Sequence, residues 1–117
     1  MEKKDICERT FKFAIAIIKF CRAIDNGQNI ERLIARQLFR SGTSIGANVE
    51  EAQAGQSKAD FISKMSIARK EARETRYWLA LCNSVNIGIL RDIDVLLKEV
   101  NELTAIMTAI IKKTKSN

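Results

Sequence analysis

Histidine and proline are both absent from this sequence of 117 residues, and each absence closes off a class of explanation. Without histidine there is no common general base, no His-dependent catalytic triad and no Glu-x-x-His ligand set of the kind that holds iron in helical bundles. No catalytic residue set emerges from what remains, so a non-enzymatic role is expected. Without proline, and with only five glycines, little interrupts long helices. The three cysteines, Cys7, Cys21 and Cys82, are odd in number, have no CxxC spacing and lie on apolar stripes. They read as small buried hydrophobes in a reducing cytoplasm, and neither a metal nor a cofactor is expected. Long hydrophobic runs are missing too. The longest, Phe13 to Cys21, is broken by Lys19 and falls well short of the ~20 residues a membrane span needs. No small-residue cleavage site follows it, so a cytoplasmic protein without a membrane partner is expected.

What the chain does have is helical periodicity. Ile89, Ile93, Leu96, Val100, Leu103, Met107 and Ile110 recur at spacings of 4 and 3, as do Phe61, Met65, Ala68, Ala72, Thr75, Leu79 and Cys82. Cys7, Phe11, Ala14, Ile18 and Cys21 repeat the pattern near the N-terminus, beside a second stripe of Phe13, Ile17, Phe20 and Ile24. Turn residues at Asp25 to Asn29 and at Gly88 separate the repeats. Asn29 is placed to cap a second helix, Gly55 to end it, and Ser57 with Asp60 to open a third. The reading is all-α, one domain over residues 1–117, with helices at about 3–23, 30–54, 58–86 and 89–113. Connections this short make successive helices antiparallel neighbours, an up-down-up-down four-helix bundle. The Lys112 to Asn117 tail suits a helix C-terminus and is expected to fray.

The second helix departs from the pattern. Gln37, Ser41, Ser44, Asn48 and Glu51 form a polar stripe where a plain bundle would carry leucine. Such groups need partners, and Glu71 and Thr75 of the third helix are placed to supply them, fixing helix register; a ligand site is the alternative reading. Gly42 and Gly46, four residues apart, each cost helix propensity, which points to close approach by another helix. Glu51, Glu71 and Glu74 facing Arg36, Arg40 and Arg73 read more simply as ion pairs than as a cation site.

The run Ser41-Gly-Thr-Ser-Ile-Gly-Ala-Asn-Val-Glu-Glu-Ala, then Phe61, Ser66-Ile-Ala-Arg-Lys-Glu-Ala-Arg-Glu-Thr and Tyr77-Trp78-Leu79, resembles the bacterial four-helix-bundle proteins encoded by intervening sequences in 23S rRNA genes. The same superfamily includes the accessory variability protein of diversity-generating retroelements. The resemblance implies the bundle fold, a ring-like homopentamer and, in retroelement relatives, a place beside a reverse transcriptase.

Charge adds a functional candidate. The net charge is +6, with the basic excess on the first and third helices. Arg69, Lys70, Arg73 and Arg76 project away from the third helix's seam with Tyr77 beside them, so the cations could contact phosphates of RNA or DNA while Tyr77 stacks on a base. The alternatives are a solvated face partly paired to nearby acids, or a protein-interaction module whose charge serves solubility. Stripes beyond what one core needs, Phe13, Ile17 and Phe20 on the first helix and Ile67, Trp78 and Leu81 on the third, are expected to cover one another in an oligomer.

Overall fold

The periodic segments become four helices in the computed structural model, which describes residues 3–117 and side chains from Asp5 onward. They are α1 (Lys3–Ile24), α2 (Asn29–Gln53), α3 (Lys58–Ser84) and α4 (Leu90–Ser116). α1 packs on α2, α2 on α3 and α3 on α4, while α1 and α4 close the ring with the sparsest contact; among the described residues no Cα of one diagonal helix comes within 8 Å of the other's. The chain is therefore an all-α, antiparallel up-down-up-down bundle.

The turns explain where helices stop. Between α1 and α2, the side chains of Asp25 and Asn26 accept from the backbone N–H groups of Gly27 (2.8 Å) and Gln28 (3.1 Å), two successive Asx turns. Asn29 is not the cap expected from sequence: its φ is +63°, and Gln28 occupies the cap position without a side-chain bond. Ser57 does cap α3, its Oγ accepting from the Asp60 N–H at 3.1 Å. α3 ends in a Schellman motif, with Asn86 at φ +60° and the N–H of buried Ile87 bonded to the Cys82 carbonyl at 2.9 Å. Gly88 follows at φ +89°, and a Cβ there would sit 2.7 Å from Phe20 Cζ, so this turn needs glycine for conformation and for space. α4 continues to Ser116, so Lys112, Lys113 and Lys115 stand on a formed helix and not on a frayed tail.

The α3 seam lies where its spacing predicts, with Met65, Ala68, Ala72, Thr75, Leu79 and Cys82 all buried. In α4 the buried set runs Ile93, Leu96, Val100, Leu103, Met107, Ile111. The last position shifts from Ile110 to Ile111 because a straight helix of 3.6 residues per turn drifts against a strict heptad.

α1 is turned relative to the sequence expectation. Phe13, Ile17 and Phe20, expected on an oligomer surface, are buried in this chain's own core, whereas Phe11 of the expected seam is 64% exposed. The cause lies on α2. Gly42 leaves a notch filled by Ile17, whose Cγ2 would be 2.8 Å from a Cβ on Gly42, and Gly46 receives the Thr10 backbone and hydroxyl. Only the Thr10, Phe13, Ile17 side of α1 presents shapes that fit these small positions.

Polar groups at the core margin are handled locally. Ser41 Oγ and Thr75 Oγ1, both fully buried, hydrogen-bond across α2 and α3 at 2.9 Å. Ser44 and Asn48 turn back to carbonyls of their own helix, Arg40 and Ser44 respectively, and Gln37 and Glu51 are exposed. The stripe is therefore not one reciprocal network: only Ser41 spans helices. Glu51→Ala should consequently be near neutral. Thr75→Val should cost about 1–2 kcal/mol, because it strips the buried Ser41 hydroxyl of its cross-helix partner and leaves it only the Leu38 carbonyl at 3.5 Å. In urea denaturation, Ser41→Ala/Thr75→Val should recover most of that loss; a double variant as unstable as the sum of the singles would refute the pairing.

Burial pushes the Cys21 thiol up to about 12 and raises that of Cys82. The two cannot form a disulfide, since no Cα of α1 comes within 8 Å of one on α3. The α1–α4 seam carries a polar clasp that sequence inspection misses. Arg9 grips Glu99 through Nε (3.1 Å) and Nη2 (2.6 Å), and Nη2 also reaches Glu102.

Candidate nucleic-acid interface

The burial of α3's seam dictates what its other side presents. Lys70, Arg73, Arg76 and Tyr77 are exposed, and Arg69 is half-buried at the flank that meets α4. Its guanidinium donates to Thr108 Oγ1 at 3.4 Å. None of these four cations forms an ion pair among the described residues.

Two of the three acids of α3, Glu71 and Glu74, lie on its opposite flank. Arg40 of α2 reaches across to Glu71 at 3.4 Å and also pairs with Glu74. Glu74 Oε2 additionally accepts from Trp78 Nε1 at 3.1 Å. Charge is thus segregated around one helix: carboxylates are neutralised on the α2 side, while cations face outward and toward α4. Arg36, Arg73 and Glu51, expected in the same ion-pair cluster, take no part in it among the described residues.

Tyr77 is 57% exposed and stands edge-on to Trp78, with ring centroids 5.6 Å apart at 72°. Its outer face is open beside Arg73 and Arg76, the neighbourhood in which a base could stack between cations. Two further cations belong to this side and were missed because the C-terminal lysines read as a tail. Lys112 and Lys115 follow Thr108 by four and seven residues on α4, so they share the flank that meets Arg69. The i, i+4, i+7 spacing was the available signal.

The residues expected to cover an oligomer divide. Ile67 is 39% exposed, Trp78 and Leu81 are half-buried at the α2 side of α3, and the three α1 residues are lost to the core. Exposed apolar groups that spacing arguments overlooked are Ile30, Leu33 and Phe39 on α2, Ile15 on α1 and Val95 on α4, while Phe11, placed on the α1 seam by its spacing, is exposed as well. No group of three or more His, Cys, Asp or Glu side chains gathers as a metal site among the described residues. No described helix is long and apolar enough to cross a membrane.

Against known proteins, residues 2–109 match the family model described as 23S rRNA-intervening sequence protein. The fold is similar to the crystal structure of a Bacteroides thetaiotaomicron protein of unknown function from the S23 ribosomal protein family. The two share 37% sequence identity with a TM-score of 0.89, over 96% of this chain and 99% of the other. No curated protein matches.

Proposed function

Because the chain belongs to the 23S rRNA-intervening sequence protein family, we infer from its surface that it is a non-enzymatic bundle that assembles with copies of itself and offers the outer face of α3 to RNA or DNA. The observation that carries this reading is the segregation of charge: Arg69, Lys70, Arg73 and Arg76 lack acidic partners among the described residues, while Arg40 engages Glu71 and Glu74 on the far flank. Unpaired cations grouped on one helix face, with an exposed tyrosine among them, suit a phosphate backbone with unstacked bases. The absence of histidine argues against an enzyme.

Self-association draws on the exposed Ile67 and the half-buried Trp78 and Leu81 of α3, joined by Ile30 and Leu33 of α2. A homopentamer is the state the family resemblance implies. The same apolar groups favour a second reading, a protein-interaction module, for instance an accessory partner of a reverse transcriptase, that touches no nucleic acid.

Salt decides between the two. Each neutralised phosphate releases counterions, so affinity should fall with a log–log slope of about −0.7 per contact on single strands and −0.9 on duplex DNA. Arg69→Gln/Arg73→Gln should flatten the slope by about 1.4 to 1.8 units, and Tyr77→Ala should weaken single-strand binding at unchanged slope. Arg73 and Tyr77 are exposed and half-buried Arg69 has one long bond, to Thr108 Oγ1 at 3.4 Å, so melting curves should move little. Absence of salt-dependent binding by the wild type, or a full slope in the double variant, would hand the function to the interaction module.

A further inference from the structure

The basic face becomes a line once α3 and α4 are put in register. Arg69 donates to Thr108 Oγ1 at 3.4 Å, so these two residues stand level on helices that run in opposite directions. Lys112 and Lys115, four and seven residues beyond Thr108, therefore continue past Arg69 toward the start of α3. Arg73 and Arg76 lie four and seven residues the other way. Arg76, Arg73, Arg69, Lys112 and Lys115 thus follow one another in steps of about 4.5–6 Å, a track roughly 21 Å long at the helical rise of about 1.5 Å per residue.

No carboxylate interrupts this track. Arg73, Arg76, Lys112 and Lys115 are exposed, and none of the five cations forms an ion pair among the described residues. The α4 positions beside it, Asn101, Thr104 and Thr108, are uncharged, and the first acid met on that flank is Asp94, two turns before Asn101. Tyr77 stands one turn on from Arg73, so the track ends against an exposed ring.

This geometry discriminates between forms of nucleic acid. A duplex backbone turns through about 36° per nucleotide, so a straight track meets about two or three consecutive phosphates before the strand curves away. Its bases are paired and stacked, closed to Tyr77. The cations stand on the sides of two packed helices, and no projecting helix or loop among them enters a major groove. A single strand can straighten to follow all five cations and bring an unpaired base onto the tyrosine. We propose that the α3–α4 seam binds single-stranded RNA or DNA lengthwise, with successive phosphates on Arg76, Arg73, Arg69, Lys112 and Lys115 and a base on Tyr77. The inference rests on the basic-face reading and extends it to α4 and to one form of ligand.

Fluorescence anisotropy tests it with dodecamers of uridine and of thymidine and with a duplex of the same length. At equal salt the single strands should bind about tenfold more tightly than the duplex, the worth of one stacked base. Whichever single strand binds better identifies the sugar. Lys112→Gln/Lys115→Gln should flatten the single-strand salt slope by about 1.4 units, two contacts at about 0.7 each. Lys98→Gln/Lys113→Gln removes the same charge from α4 but off this flank, where both lysines line cavities toward α1, and should leave the slope in place. All four lysines are exposed, so melting curves should not move. A duplex bound as tightly as the single strands overturns the proposal. So does an unchanged slope in Lys112→Gln/Lys115→Gln; if Arg69→Gln/Arg73→Gln still flattens it, the basic-face reading survives on α3 alone. A wild type that binds neither strand ends both.

Discussion

Gly42→Val should lower the unfolding free energy by about 3 kcal/mol, near the upper end of what overpacking a core costs. A Cβ at this position would lie 2.8 Å from Ile17 Cγ2 and 2.9 Å from Cγ1, inside the contact limit of any real side chain. Ile17 is fully buried and β-branched, with one strongly preferred rotamer in a helix, so it cannot swing aside. Relief has to come from moving α1 off α2, which would also loosen the contact of Gly46 with Thr10. The helix propensity regained by removing a glycine, about 1 kcal/mol for alanine and less for valine, offsets only part of this. Ile17→Ala alone should cost about 2–4 kcal/mol through the cavity it opens. Combined with Gly42→Val the two should cost clearly less than their sum, because the new methyls occupy the space vacated. Additive losses in urea denaturation would show that the notch is not what seats α1.

The second large effect concerns assembly. Light scattering of the wild type at micromolar concentration should return several times the chain mass of 13.2 kDa, a pentamer if the family resemblance holds. Ile67→Lys/Leu81→Lys should reduce this to a single chain while leaving helicity intact, because one side chain is 39% exposed and the other half-buried, both outside the α3 seam. Lysine charges inside an apolar contact have no partner and cost several kcal/mol across an interface of this kind. The contrast with Ile17 is the test's strength. An α1 core residue should lose stability, and these α3 residues should lose partners. A wild-type particle of one chain mass would end the self-association reading.

The sequence yields the bundle readily because its signal is redundant. α1, α3 and α4 each carry an apolar repeat, and in α3 each buried seam residue from Met65 to Cys82 falls on the expected spacing. α1 is where the reading fails, for a physical reason. It carries two apolar stripes of equal quality, and periodicity cannot say which is inside. The decision belongs to its neighbour, whose Gly42 and Gly46 accept Ile17 and Thr10. Those glycines do signal close approach in the sequence, but not by which residues. The polar stripe was legible as a set needing partners, yet helical Ser and Asn satisfy themselves on their own carbonyls, as Ser44 and Asn48 do. The α3 cations were visible from spacing alone. That Arg40 draws Glu71 and Glu74 away from them required three dimensions.

The sparse seam between α1 and α4 has a kinetic consequence. Contacts between successive helices close short loops, which costs little chain entropy, so each hairpin of the bundle can form early and locally. The contacts between α1 and α4, the clasp of Arg9 with Glu99 among them, must join positions about 90 residues apart, and they do so over the thinnest contact in the bundle. The ring of helices should therefore close late during folding and part there first during unfolding. Opening at this seam would uncover the flank of Phe13 and Phe20 while the α2–α3 pair, with its buried Ser41–Thr75 bond, stays together, so amides of α1 facing α4 should exchange hydrogen before those of α2 and α3.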